Sequence, residues 1–400
     1  MVWIFCGISI LYDLFLILLI SDKVSSYLYP LIIFSIVFAV LAYFLIGKYV
    51  YHTIKLLNPK SLVSFLLKRN NKFPHSNSII FDFIVGSISR HDFLSFKEGL
   101  SNFYNSSFSE ENLDESQFNK IISDLIDIGT VTVSFGNDKA TALVFDQIKK
   151  LFLELNTDNR RDYFYYNIDN ISYFIEYCAR KNLENSTIIG VDVLFNISKS
   201  ILSDIPKDDS DISKFHTNIL NSLLNVGKVS SEMKHERSTL RSLEYVDELV
   251  DAMTEGKNEI PLPYLTKIGS IGLISAEYHF EAPTENVLVI LGKIAIISLG
   301  QINSPNNSIV DIIEKLNFSN FVIVVLNKIA ECCVEYCMYN CCNTAITNYR
   351  TFKDILDDSK NSFEGDRDTS LKLKEILEGI KIYSNIEQGT KCIDPYLGYI

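Results

Sequence analysis

The chain has 400 residues, of which 47% are hydrophobic, and its formal net charge is −12. This apolar content is sufficient for a folded core, and the length suggests about two or three domain-sized units or a single extended one. Because phosphate binding requires a basic surface, the negative charge argues against nucleic acid as a partner.

Two apolar runs at the start of the chain indicate a membrane protein. Residues 2–20 and 29–47 are each about long enough to cross the bilayer core as a helix. The first run has no basic segment before it, and a second apolar run rather than a small-residue cleavage site follows it, so it does not read as a signal peptide. The sequence therefore predicts a transmembrane helical hairpin over residues 1–50.

The charges that follow the hairpin predict its orientation. Residues 48–81 contain six Lys or Arg residues and no Asp or Glu. Under the positive-inside rule this places both termini in the cytoplasm, in a cell-membrane protein with two spans. Residues 51–80 form a basic juxtamembrane segment that rests on anionic headgroups, so the lipid bilayer is a predicted partner. Residues 81–400 form an acidic cytoplasmic domain.

Asp13 lies near the middle of the first predicted span, where an ionised carboxylate is costly. It must therefore be protonated, paired or turned toward an interface. One interpretation is a proton or ion pathway. The other is a neutral carboxyl group that hydrogen-bonds to a Ser or Tyr side chain, and the absence of a basic residue inside either span favours it.

Beyond residue 60, apolar residues recur at spacings of three and four, which predicts an all-α fold. Breaks rich in Asn, Ser, Asp and Pro have the length of caps and turns, and the break at 204–211 is a place where the domain could divide.

A short pattern recurs within these helices at irregular spacings, as IGTV, VGKV, IGSI, LGKI and LNKI. A glycine that faces a neighbouring helix allows close packing, at a helix-propensity cost of roughly 1 kcal/mol relative to alanine. The recurrence predicts an α-solenoid-like or layered helical domain, whose usual output is a binding surface.

The segment IGTVTVSFGNDK begins with the alternation of a β-strand, although a helical pattern precedes it. The apolar spacing predicts one helix over 116–135 that ends at Gly136. Asn137 or Asp138 then caps a second helix over 140–155. A strand in the first half of the segment is the alternative.

The same region resembles a known family. The residues that carry the resemblance are Ser134, Asn137, Asp138, Thr141, Ala142 and Asp146. They are similar to the signature of the predicted membrane protein family called domain of unknown function 2254, over roughly residues 116–155. The resemblance implies a membrane-anchored protein without an established activity. Asn137, Asp138 and Thr141 are candidate functional residues, together with Asp13.

Five cysteines cluster in the segment ECCVEYCMYNCCN. Cys333, Cys337 and Cys341 have the spacing of one helical stripe, with Cys332 and Cys342 beside it. A structural zinc site takes paired ligands from two elements, and the sequence has no second Cys/His cluster to complete one. A stripe of buried small hydrophobic side chains is therefore favoured, and a metal or redox site is the alternative.

The sequence shows no motif of the common catalytic frameworks. It has no phosphate-binding glycine loop, no G-x-S-x-G elbow and no H-E-x-x-H pair, and its six histidines are scattered. We therefore predict no catalytic, cofactor-binding or metal-binding residues.

The predicted function is that of a membrane-anchored, cytoplasmic helical-repeat scaffold or sensor that binds a partner protein or a second copy of itself. The alternative is a subunit of an oligomeric channel or transporter in which the hairpin, with Asp13, lines or supports the pore. An enzyme is the third possibility.

Overall fold

The computed structural model describes most of the chain. The described residues are 40–53 without 42 and 52, 76–107, 114–155, 157–204, 212–255, 260–303, 308–360 and 367–381. Every regular element within these ranges is helical, so the predicted all-α fold is confirmed for them. Residues 1–106 and 107–400 form two compact units, and the helices on both sides of 204–211 belong to the second unit.

The first unit contains the end of the predicted hairpin. Residues 40–53 are helical wherever they are described, and many of their large apolar side chains are exposed. Helices α1 (Ser76–Ser89) and α2 (Phe93–Ser107) follow. Residues 1–39, which include the first predicted span and Asp13, lie outside the described residues.

The second unit is built from consecutive helices. They are α3 (Glu115–Ser134), α4 (Asp138–Glu154), α5 (Thr157–Arg180), α6 (Glu184–Asp204), α7 (Ile212–Glu232), α8 (Glu236–Glu255), α9 (Leu262–Glu277), α10 (Glu281–Gly300), α11 (Ile309–Glu335), α12 (Tyr339–Lys360) and α13 (Arg367–Lys381), with a 3-10 turn at Gln301–Asn303. Each helix packs on the next but one, and α3–α4, α5–α6, α7–α8, α9–α10 and α11–α12 pack as hairpins. Within the second unit, the odd-numbered helices from α3 to α13 therefore form one layer and the even-numbered helices from α4 to α12 form the other, with an apolar interior.

The same turn joins the two helices of each hairpin. In the first hairpin Gly136 has a φ of 64°, its N–H donates to the Val133 carbonyl (2.9 Å), and the Asn137 N–H donates to the Thr132 carbonyl (3.0 Å). These bonds satisfy carbonyl groups that a helix end leaves free. The same left-handed backbone, with both hydrogen bonds, recurs at Asn182, Lys234, His279 and Cys337, and at His91 between α1 and α2.

The glycines of the recurring sequence pattern lie where helices approach closely. A Cβ atom added at Gly129, Gly269 or Gly292 would overlap a side chain of another helix, from Phe174, Val325 or Asn348 respectively. The prediction that these glycines serve helix packing is therefore confirmed.

The repeating unit is the helical hairpin rather than the four-residue pattern. Gly129 and Gly227 each lie three residues before the residue whose carbonyl closes the turn, Thr132 and Ser230. Gly292, in contrast, lies inside the second helix of its hairpin. The four-residue pattern therefore marks close helix–helix contacts, which lie at different positions in different hairpins.

The helical interpretation of the segment around Gly136 is confirmed, and the strand alternative is wrong. Helix α3 continues through Ser134, and α4 begins at Asp138. Thr132 and Val133 are buried among helices, so the alternating aliphatic and polar residues belong to a helical face.

The single cysteine stripe is a prediction that the structure corrects. Helix α11 ends at Glu335, Cys337 lies exposed in the left-handed turn, and α12 begins at Tyr339. The prediction of buried small side chains holds for Cys333, Cys341 and Cys342 but fails for Cys337, because the chain reverses direction between them.

Three described helices are long and apolar enough to cross a membrane by length and composition alone. They are Glu184–Asp204, Glu281–Gly300 and Val310–Glu335, within α6, α10 and α11. Each of them contributes buried side chains to the two layers of the second unit.

Candidate functional site

Asn137 is the cap of α4. Its Oδ1 atom accepts a hydrogen bond from the Ala140 N–H at 3.1 Å, which satisfies a donor that the helix start leaves free. Of the two residues predicted as the cap, Asn137 is the cap and Asp138 is the first residue of the helix.

Asp138 connects its hairpin to the next one. Its Oδ1 atom accepts a hydrogen bond from the buried Ser186 hydroxyl at 2.5 Å. Acidic residues at the same position of later hairpins act similarly: Glu184 accepts from the Arg237 N–H at 2.9 Å, and Glu281 accepts from the Asn340 N–H at 3.0 Å. These carboxylates lie at the positive ends of neighbouring helices, where negative charge is stabilising.

Thr141 is buried and bonds within the same turn. Its hydroxyl donates to the Asn137 carbonyl at 3.0 Å and lies 2.7 Å from the hydroxyl of Thr132. Threonines at the equivalent place of the following hairpins, Thr187, Thr239 and Thr284, donate to the carbonyl four residues earlier in the same way. Thr141 therefore belongs to the structure of the repeated turn.

A polar groove lies elsewhere, between α10 and α12 on the outer surface of the even-numbered layer. It has a volume of about 330 Å³, and its lining residues are Glu285, Val289, Lys293 and Ile296 from α10 and Asn340, Asn343, Thr344, Thr347 and Asn348 from α12. The members from each helix are spaced by three and four residues, so they lie on one face of that helix. Volumes of about 300–1,000 Å³ are typical of ligand sites.

One end of the groove carries a carboxylate. The Thr344 hydroxyl donates to Glu285 Oε1 at 3.2 Å, and the backbone N–H of Asn340 donates to Glu281, one helical turn before Glu285. Both contacts hold the start of α12 against α10, and they place Glu285 beside the polar face of α12.

The other end carries Lys293, which is held by α8. Its ammonium group donates to Asp247 Oδ1 at 2.7 Å and to Asp251 at 3.1 Å. Partial burial by itself lowers the pKa of Lys293, but the hydrogen bonds to the two carboxylates outweigh burial and the pKa is raised. Lys293 is therefore charged at neutral pH and already paired.

The floor of the groove is a close helix contact. The Asn348 side chain donates from Nδ2 to the backbone carbonyl of Leu288 at 2.9 Å. Gly292 follows Leu288 by one turn, and a Cβ atom there would overlap the Asn348 carboxamide. Because residue 292 has no side chain, Asn348 can approach α10 closely enough to hydrogen-bond its main chain.

The equivalent contact between α6 and α8 is filled by large side chains. Arg241 donates from Nε to Asp192 Oδ1 at 2.7 Å, and the rings of Phe195 and Tyr245 stack with centroids 3.8 Å apart. The Tyr245 hydroxyl also donates to Asp192, at 2.8 Å.

Short side chains replace this filling between α10 and α12. Counted from the helix starts, Val289 and Thr344 stand where the other contact has Asp192 and Arg241, and Gly292 and Asn348 stand where it has Phe195 and Tyr245. The groove therefore exists because this pair of helices lacks the bulk that closes the same contact two hairpins earlier.

Two of the buried cysteines, Cys333 and Cys342, have thiol pKa values that are raised, which disfavours their thiolate forms. A hydrogen bond with Cys341, and then burial, raise the pKa of the Cys333 thiol, and burial raises the pKa of Cys342 to about 12. No group of three or more potential metal ligands occurs among the described residues.

Sequence reasoning missed the groove residues. A signal was present, because Asn340, Asn343, Thr344, Thr347 and Asn348 form a polar stripe at helical spacing. The spacing of the adjacent cysteines predicts one continuous helix through this segment, and that prediction assigns the groove residues to the wrong helix face. The predicted candidates Asn137, Asp138 and Thr141 lie together at the α3–α4 turn, and Asp13 lies outside the described residues.

Comparisons with known proteins give a distant structural likeness. No protein-family model matches the chain, and no curated protein is significantly similar to it. Among solved structures, a "Circular tandem repeat protein with novel repeat topology and enhanced subunit contact surfaces" is similar with a TM-score of 0.37 and 12% identity, over 85% of this chain and 91% of that chain. The similarity is too distant to transfer a function, and the resemblance to domain of unknown function 2254 stays a prediction.

Proposed function

We propose that this chain is a membrane-anchored interaction scaffold. The observation that carries the proposal is the continuous two-layer stack from α3 to α13, in which hairpins of one kind pack side by side. A stack of this kind buries its apolar faces inside and presents long outer helix surfaces to other molecules. Such surfaces suit the binding of a partner protein.

The membrane anchor is supported by the exposed apolar helix of the first unit. Phe44 is 72% exposed and Tyr49 is 74% exposed, with Leu41, Leu45 and Ile46 exposed beside them. A contiguous apolar surface of this kind is a site of membrane or protein contact rather than an ordinary aqueous surface. Together with the basic residues from 48 to 81, it supports a span that ends on the cytoplasmic side.

Labelling of Cys337 tests the orientation. Cys337 is exposed in the α11–α12 turn. A membrane-impermeant maleimide should therefore give labelling that depends on Cys337 only after the cells are permeabilised, with Cys337→Ser as the matched control. Labelling of Cys337 in intact cells would contradict the cytoplasmic orientation. Release of the full chain from membranes by alkaline carbonate would contradict the anchor.

Cross-linking in cells tests the scaffold. We expect a membrane-permeant, lysine-reactive reagent to join the full chain covalently to a second protein, which mass spectrometry of the denatured, purified adducts would identify. The Gly272→Leu variant, which overfills a helix contact, should lose the adducts, and Gly300→Ala, which meets no atom within 4 Å, should keep them. A wild-type chain recovered without adducts would contradict the scaffold function.

A further inference from the structure

The groove between α10 and α12 presents polar groups that this chain leaves unused. Thr344 occupies one oxygen of Glu285, and among the described residues the other oxygen has no hydrogen-bond partner. The carboxamides of Asn340 and Asn343 line the groove and likewise have no partner within the described ranges. Each carboxamide offers both a donor and an acceptor, which is the complement of a peptide group.

The dimensions of the groove match an extended chain. Its α12 wall runs from Asn340 to Asn348, which is about 12 Å at 1.5 Å per residue. An extended peptide of about four residues covers this length at about 3.3 Å per residue. Asn340 and Asn343 lie roughly 5 Å apart along the helix axis, and peptide groups that face the same side of an extended chain lie roughly 7 Å apart, so the two side chains must diverge by about 2 Å to reach them.

The charges around the groove favour a basic occupant. Glu285 and Lys293 are the charged residues that line the groove. Three further carboxylates lie beside it: Glu281 one turn before Glu285, and Asp247 and Asp251, which pair with Lys293. Lys293 is already paired with two carboxylates, which reduces its attraction for an acidic ligand. Glu285, with one oxygen unused, is the acceptor best placed for a charge-assisted hydrogen bond.

We propose that this groove binds an extended, lysine- or arginine-containing segment of a partner protein. Glu285 accepts a hydrogen bond from the cationic side chain, and the carboxamides of Asn340 and Asn343 pair with main-chain peptide groups of the segment. The proposal rests on the scaffold function and specifies where, and by what chemistry, a partner is held.

The experiment measures fluorescence anisotropy of a short fluorescein-labelled peptide in which lysine and serine alternate, titrated with the full chain in detergent. Glu285→Gln should weaken binding about tenfold, as expected for loss of a hydrogen bond to a charged group. Glu314→Gln is the matched control, because it removes the same charge from a residue that is exposed on α11 and does not line the groove. It should leave binding unchanged.

A charge-neutral variant distinguishes the groove from general electrostatic attraction. Val289→Asp combined with Thr344→Arg introduces the pair that fills the contact between α6 and α8, and it keeps the net charge of the chain. This variant should retain the wild-type melting temperature and lose peptide binding. The same peptide with N-methyl groups on alternate peptide bonds should also fail to bind, because its main-chain donors are blocked.

The expected results are saturable binding by wild type and by Glu314→Gln, weaker binding by Glu285→Gln and by Asn343→Ala, and none by the filled variant or with the N-methylated peptide. Failure of wild type to bind the lysine peptide would overturn the proposal. So would equal binding by Glu285→Gln and Glu314→Gln, or undiminished binding of the N-methylated peptide. Partner adducts that form in cells alongside any of these failures would leave the scaffold function standing without the groove.

Discussion

Gly272 of α9 lies at a three-helix contact, and its replacement by alanine measures how tightly the stack is packed. A Cβ atom at this position would lie 2.7 Å from Ile329 Cδ1 of α11 and 2.7 Å from Val287 Cγ1 of α10. Favourable carbon–carbon contacts lie at about 3.5–4.0 Å, so both neighbours would have to move. Ile329 can rotate its terminal methyl group, but Val287 is fully buried and its β-branched side chain has one preferred rotamer in a helix.

The magnitude follows from two opposing effects. Alanine in place of glycine favours a helix by about 1 kcal/mol, and overfilling a packed site costs about 1–3 kcal/mol. Gly300→Ala is the matched control, because no atom lies within 4 Å of an added Cβ atom at the end of α10. The difference in unfolding free energy between the two variants, about 1–3 kcal/mol, therefore reports the overlap. For the second unit, residues 107–400, it corresponds to a melting temperature about 2–5 °C lower for Gly272→Ala, at an unfolding entropy of about 2.1 cal/mol/K per residue.

The assay is thermal unfolding of the full chain in detergent, followed by tyrosine and tryptophan fluorescence. Val287→Ala removes the obstacle, so the double variant Gly272→Ala/Val287→Ala should be less destabilised than the sum of the single variants, by about 0.5–3 kcal/mol. A Gly272→Ala protein at least as stable as Gly300→Ala would refute the reasoning, and so would strict additivity with Val287→Ala.

Two further predictions concern the turns and the buried histidines. Gly136→Ala should destabilise the protein by about 1–2 kcal/mol, because Gly136 has a φ of 64°; the added Cβ atom meets no neighbour, so the effect reports the backbone conformation alone. Cys337→Gly should stabilise the protein, because it relieves the same left-handed conformation. Melting temperatures that shift in the same direction in both variants would contradict this prediction. Burial lowers the pKa of His216 and His235, so their contribution to stability is present above about pH 6.5 and is lost as the pH falls below it. Between about pH 8 and pH 5, the free energy of unfolding should fall less in the His216→Gln/His235→Gln variant than in the wild type. An equal fall in both proteins would contradict this prediction.

The sequence predicted those features that depend on neighbouring residues. A helix that ends at Gly136 and a cap at Asn137 follow from local backbone chemistry, and the structure has both. The packing role of the recurring glycines was also readable, since a glycine inside a helix is costly unless another helix needs the space.

The other turns carried no such signal. Asn182, Lys234, His279 and Cys337 occupy the left-handed position that glycine holds at 136. Lysine, histidine and cysteine are not typical residues of a helix end, so they do not indicate one in a sequence. Their left-handed backbone is strained, and packing of the flanking helices offsets this strain. The cysteine segment was therefore interpreted as one helix, although a reversal divides it.

The groove could not be predicted because it depends on a contact between distant segments. Glu285 and Thr344 meet only when α10 packs on α12, with α11 between them in the chain. Neither residue belongs to a motif. The equivalence of Val289 and Thr344 to Asp192 and Arg241 emerges only once the turns fix which positions of the hairpins are equivalent.

That equivalence also separates structural residues from candidate binding residues within a single chain. Thr141 has a threonine with the same hydrogen bond in three later hairpins, so its chemistry serves the turn that every hairpin needs. Glu285, in contrast, stands where α6 has Ile188, and its carboxylate has an oxygen that no described residue uses. Its internal hydrogen bond, from Thr344, uses one oxygen and leaves the other for a molecule outside the chain. The proposed binding site therefore lies between α10 and α12 rather than at the turn at Gly136.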